Sequence, residues 1–220
     1  MKMKSIKIVN TDDLAKHPLV MKLGSSPSDL MEAIFNHVQT CNIEIKSFIC
    51  DHLCWRCSTL EEYMKIKQLF STKENEDGLG HILVECMIGG RPISTIHLNQ
   101  PVIIKTNSDY EFEIPTFELP CPKPGRAYES GWEHCEFAVH NQYQKLEHFV
   151  EDYKQKINFD YRAYSKRSNN DVSLEVYYTK ENRTKTGQVK FHLLPLEEVV
   201  KRELAEGKVE LVSENYFVHN

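Results

Sequence analysis

The sequence predicts an α+β fold: paired βαβββ modules form a curved, partly open mixed β-barrel with outer helices, preceded by an N-terminal helical extension. Three observations predict it. Extended and helical stretches recur in the same order on both sides of a Pro- and Gly-rich connector. The first extended stretch of each half holds one histidine, seven residues before a residue suited to cap a helix. The 220 residues are 40% hydrophobic and 27% charged, so a sizeable core forms without covalent staples.

Residues 1–46 are the extension. Their first 25 positions show no clear period, but Ser26 can cap a helix with Pro27 at its first position. Leu30, Met31, Ile34, Phe35 and Val38 then recur at helical spacing. Residues 47–119 are the first module. Phe48 to Cys57 reads as a buried strand, and Thr59 with Glu62 forms a capping box that opens a helix with Leu60, Tyr63, Ile66, Leu69 and Phe70 on its buried face. Strands follow at His81 to Ile88, Pro92 to Ile104 and Tyr110 to Leu119, with Gly89-Gly90 turning the first hairpin.

Residues 120–131 are the connector. Residues 132–194 repeat the pattern: a strand from Trp132 to Val139, a helix capped by Asn141 with Leu146, Phe149, Val150 and Tyr153 inward, then strands at 158–166, 172–179 and 188–194. Residues 195–220 hold a last helix, from near Pro195 to Gly207, and a tail. The whole is read as one structural domain built by duplication.

Strand side chains alternate between faces. Cys50, His52, Cys54 and Arg56 share one face of the first strand, and Asp51, Leu53, Trp55 and Cys57 share the other. His134 and Glu136 share a face in the second half. The last strands add Glu118 and His192, each in apolar surroundings where an ionisable group is costly unless paired or coordinated. His52, Glu118, His134 and His192 are the candidate metal ligands; such a donor set suits divalent Fe, Mn, Ni or Zn and leaves positions open for substrate. Any one of these histidines alone reads more simply as a hydrogen-bonded core residue. Lys190 lies on the His192 face and reads as solvated. Glu136 is the candidate base or ligand-orienting residue. Arg56 and Arg91 are candidate substrate-binding cations, with a salt bridge and a turn position as their structural readings. Glu175 and Tyr177 are candidates for the inner face of the second half. Cys54-x-x-Cys57 reads as core thiols, because the two positions face opposite ways and no second pair follows.

A net charge of −5 with interspersed signs argues against nucleic acid and against an anionic membrane surface. No apolar run is long enough to span a bilayer, and Met1-Lys2-Met3-Lys4 is not followed by a signal-type apolar stretch. The odd count of seven cysteines is expected to be reduced thiols in the cytoplasm.

Four motifs in this order, Asp51-His52-Leu-Cys-Trp-Arg56-Cys, Gly90-Arg91-Pro92-Ile93, Phe117-Glu118-Leu-Pro120 and Gly131-Trp132-Glu133-His134, resemble the YecM family of bacterial proteins. That family in turn resembles the vicinal oxygen chelate superfamily of glyoxalases and extradiol dioxygenases. The resemblance implies a metal in a cavity between paired modules, held from their first and last strands, positions that match His52, Glu118, His134 and His192. It implies no particular reaction. Three functions are compatible with these residues. The first is a metal-dependent isomerase, lyase or dioxygenase acting on a small oxygenated substrate. The second is a non-catalytic protein that binds a small molecule or a metal in the same cavity. The third is an interaction module that uses the N-terminal helix. Oligomeric state is left open.

Overall fold

The computed structural model describes residues 5–70, 78–164, 170–180, 183–213 and 216–217. The chain forms a mixed α+β fold around one open seven-stranded sheet. The strands are β1 (Ile49–Arg56), β2 (Gly80–Ile88), β3 (Arg91–Lys105), β4 (Glu111–Pro120), β5 (Gly131–Ala138), β6 (Asp171–Lys180) and β7 (Arg183–His192). Their order is β2-β3-β4-β1-β5-β7-β6, so β1 and β5 are neighbours within one sheet rather than members of two facing sheets.

The halves repeat their pairing. β1 lies parallel to β4, and β5 lies parallel to β7. β2 and β3 form an antiparallel hairpin, as do β6 and β7. The hairpin turn at Gly89-Gly90 needs positive φ at both residues, 59° and 81°, which glycine supplies without a Cβ clash. The strand expected over 158–166 is reduced among the described residues to one bridge between Asp160 and Ser173, with hydrogen bonds of 2.8 and 3.2 Å; residues 165 and 166 lie outside them.

Among the described residues six helices accompany the strands: α1 (Thr11–Lys16), α2 (Pro18–Leu23), α3 (Ser28–Thr40), α4 (Leu60–Lys67), α5 (Leu146–Tyr153) and α6 (Leu196–Ala205). The first two fall where the sequence shows no period. They are single short turns; His17 ends α1 and caps α2 through its ring, which accepts from the Leu19 amide. The stripe expected on α3 is buried throughout, and Pro27 is its N-cap, one place later than expected, with Ser26 accepting from the Ser28 amide. The helix expected from Asn141 instead begins at Leu146. Residues 140–142 form a turn, and the Asn141 amide donates to the Ser47 carbonyl. His134 therefore precedes its helix cap, Lys145, by eleven residues rather than seven.

The chain divides into two compact units. One comprises residues 1–51, 102–114 and 133–195, and the other residues 52–101, 115–132 and 196–220. In the first, α3 packs on β6 and β7. Phe149 is fully buried there, with ring neighbours Phe48, Tyr143, Tyr153, Phe159 and Phe191. In the second, Trp55 meets Trp132 edge to face at 5.3 Å, and Val84, Cys86 and Val200 form a small cluster under α6. The outer edge of β2 is covered by residues 210–212: Met87 donates to the Glu210 carbonyl at 2.7 Å, and Cys86 bridges to Leu211.

The Thr59 hydroxyl accepts from the Glu62 amide at 3.0 Å, as expected of the capping box. Glu62 reaches back one residue further than expected, accepting from the Ser58 amide and hydroxyl, and also from Trp55 and Ser130. Burial raises its affinity for a proton, but these hydrogen bonds win and hold its carboxyl below the ordinary range. A lowered folded value means that Glu62 stabilises the fold above the unfolded carboxylate value, about 4.3, and loses that contribution as pH falls through the folded one. Glu62→Gln is expected to lower stability by about 1 kcal/mol at neutral pH, with the difference from wild type shrinking below about pH 4. Urea midpoints measured across that range check it.

Gly187 on β7 offers a second test. A Cβ there would lie 2.4 Å from Leu30 Cδ1 and 3.1 Å from the Glu133 carbonyl oxygen. Gly187→Ala is expected to destabilise by about 1–3 kcal/mol through overpacking of α3 on the sheet, read from the denaturation midpoint.

Candidate metal centre

Among the described residues, every buried histidine or carboxylate except the helix-capping His17 lies on β1, β5, β6 or β7: Asp51, His52, His134, Glu136, Asp171 and His192. No described Lys or Arg is buried, which makes the nearest cations decisive.

In the first unit, β5 and β7 run parallel in a register that places His134 opposite Gln188, Glu136 opposite Lys190 and Ala138 opposite His192. The Lys190 ammonium donates to Glu136 Oε1 at 2.6 Å and to His134 Nε2 at 3.1 Å. Glu136 Oε1 is 3.2 Å from the same His134 nitrogen. An ammonium has donors only, so in its contact with Nε2 the ring nitrogen accepts. Two acceptors are thus bridged by one cation. The Glu136 side chain is 2% exposed and that of Lys190 14%. Removing one partner of such a pair strands a buried charge, at a cost of about 3–5 kcal/mol. His192, the last residue of β7, points Nε2 at Asp51 Oδ2, 3.4 Å away.

In the second unit, β1 and β4 run parallel with His52 opposite Thr116 and Cys54 opposite Glu118. The Cys54 and Glu118 ligand atoms lie within 4.8 Å, as do those of Asp51 and His192, and of His134 and Glu136, in the first unit. Glu118 also acts on Cys86, whose thiol is pushed up to about 11, first by burial and then by the carboxylates of Glu118, Glu203 and Glu85. Thr116 donates to Glu197 at 3.1 Å, and that carboxylate also holds His97 Nδ1 at 2.5 Å.

The sequence-predicted residues fall as follows. His52, His134, Glu136 and His192 are buried, and Glu118 is half-buried. Arg56 lies over the Tyr128 ring at 5.4 Å, and Arg91 donates to the Cys121 carbonyl at 3.3 Å, so both also have structural partners. Tyr177 is 64% exposed and hydrogen-bonded to Glu175, which places the pair on the outer face of the edge strand β6 rather than an inner one.

Sequence reasoning missed two residues. Lys190 is a buried ion-pair partner rather than a solvated one. Asp51, placed on the strand face opposite His52, is 2% exposed and faces His192. The register also shows that the counterpart of Glu118, two residues beyond the strand histidine and across the parallel pair, is Lys190, whereas His192 lies two places further on. The available signal was Lys190 itself, a charge set between Val189 and Phe191 on a strand that otherwise reads as buried.

All seven cysteines are free, and only Cys41 is not buried. Burial pushes Cys57 and Cys135 up, and Cys121 to about 11; Cys50 and Cys135 approach at 3.3 Å. Alkylation of the native protein near pH 8 is expected to modify Cys41 first, with the other thiols reacting only after unfolding, as mass mapping would show.

These features define an α+β protein with imidazole–carboxylate clusters buried in its sheet. The sequence profile described as YecM protein matches residues 22–203, and the chain belongs to that family. Protein YecM of Escherichia coli (strain K12) is 31% identical over 100 residues, 44% of this chain and 46% of that protein, so the match spans about half the length of the relative. A solved structure described as Structural Genomics, Protein EC4020, is 21% identical, covers 92% of this chain and 100% of its own, and superposes with a TM-score of 0.56, a likeness of fold. A Streptomyces coelicolor methylmalonyl-CoA epimerase variant in complex with 2-nitronate-propionyl-CoA is 9% identical over 66% of this chain and 98% of its own, with a TM-score of 0.38, too weak a likeness to bear on chemistry.

Proposed function

We propose that the protein is a divalent-metal-dependent enzyme of the vicinal oxygen chelate type, an isomerase, lyase or dioxygenase acting on a small oxygenated molecule. The observation that carries this reading is the concentration of buried imidazoles and carboxylates on β1, β5, β6 and β7. Groups so costly to bury are retained where coordination or proton transfer uses them. The donor types fit the ion: imidazole and carboxylate suit Fe, Mn, Ni or Zn. His52, Glu118, His134 and His192 are the proposed ligands, with the repeated β1–β4 and β5–β7 pairings supporting a duplicated pair of modules.

A bound ion would supply Lewis acidity to paired substrate oxygens. The chain's own residues do the rest. Glu136, shielded from water on β5, is the proton carrier. Asp51 orients the His192 ring through Nε2. Arg56 and Arg91 hold an anionic group of the substrate. The free thiols support the expected cytoplasmic location. Among the described residues no helix is long and apolar enough to cross a membrane.

Metal analysis of untagged protein is expected to find about one divalent ion per chain, lost in His52→Ala and His134→Ala while circular dichroism is unchanged. Unchanged metal content in both variants would overturn the reading. Incubation of the metal-loaded protein with diketo acids, catechols and hemithioacetals then separates enzyme from binder: turnover supports the enzyme, and thermal stabilisation without product identifies a binding protein.

A further inference from the structure

We infer that Lys190 is a built-in cation that holds the second-half ligand position closed, and that a divalent ion binds there by displacing it. This inference rests on the metal reading of the same residues and adds a regulatory element to it. The contacts at Lys190 lie within the first unit.

Two independent observations meet at Lys190. The first is register. In the first half, the residue opposite the position two beyond the strand histidine is Glu118, a carboxylate with a ligand atom; in the second half the same place is Lys190, which cannot coordinate while charged. The second is contact. Lys190 donates to His134 Nε2, one of the two ring nitrogens through which an ion could be held, and to the Glu136 carboxylate, the charge an ion would neutralise. Both acceptors already serve a cation. Coordination by His134 Nε2 and donation from Lys190 to that nitrogen use the same lone pair and exclude one another.

The exchange is favourable for reasons local to the pair. Glu136 is nearly sealed from water and must face a positive charge whichever cation is present. The Lys190 side chain, on a flexible four-carbon stem, keeps partial contact with solvent and has a way out. Without the ion, Lys190 protects the fold from an uncompensated carboxylate. With it, the ion takes over that compensation and the ammonium turns outward.

The test is zinc titration by calorimetry of metal-stripped wild type, Lys190→Met and Lys190→Gln, the glutamine variant keeping a donor for Glu136 should the methionine variant fail to fold. Both variants are expected to bind zinc about tenfold more tightly than wild type, the scale on which neighbouring partners tune metal affinity. Adding His134→Ala to either should remove the gain. Wild-type zinc binding with equal or weaker binding by the variants would overturn the displacement and leave the metal reading standing. No zinc binding by any of them would overturn both. The wild-type protein gives a second readout: Lys190 acylation, followed by mass mapping, is expected to accelerate several-fold when zinc is present. Unchanged or slower labelling under saturating zinc would overturn the displacement.

Discussion

The compensation of the Glu136 carboxylate governs how the second half of the sheet is put together. β5 lies between β1 and β7, away from either edge, and a charge there has little access to water. A cation must come from a neighbouring strand, and the parallel β5–β7 register delivers Lys190. A slip of one residue would turn Lys190 to the opposite face and leave a bare carboxylate in the core. The ion pair therefore reinforces the register that the buried face of Val189 and Phe191 sets. Once it is fixed, His192 follows two residues on and meets Asp51.

Much of the fold was legible because it depends on local patterns. The α3 stripe, the Thr59 cap, the Gly89-Gly90 turn and the stop at Gly207, with φ of 63°, are each written in a few adjacent residues. The errors arise where one residue type serves two local structures. Asn141 suits a helix cap and a turn equally, and its bond to Ser47, remote in sequence, settles the matter for the turn. The segment near Asp160 has strand-like composition, yet pairs at one bridge among the described residues.

The candidate site was legible in its residue types and less so in its partners. A histidine on the first strand of each half stands out in the sequence, and both are buried. Which residue of a distant strand comes opposite depends on β4 and β7 arriving in register, information spread over the whole chain. Position near the strand end paired His192 with Glu118, whereas the ladder gives that role to Lys190. Strict alternation likewise placed Asp51 on the face opposite His52, where it is a partner for His192.

The two outermost strands are each covered by a short stretch of the chain's own backbone. On β2 residues 210–212 bond with Glu85 and Met87, and on β6 Asp160 makes one bridge at Ser173. An open sheet with bare flanks is a template on which further strands can grow, from another copy or from a misfolded neighbour. Here the segment that follows α6 acts as a selvedge, finishing the weave so that it does not extend. Cleavage after α6 would spare every candidate ligand while removing this cover from the β2 flank.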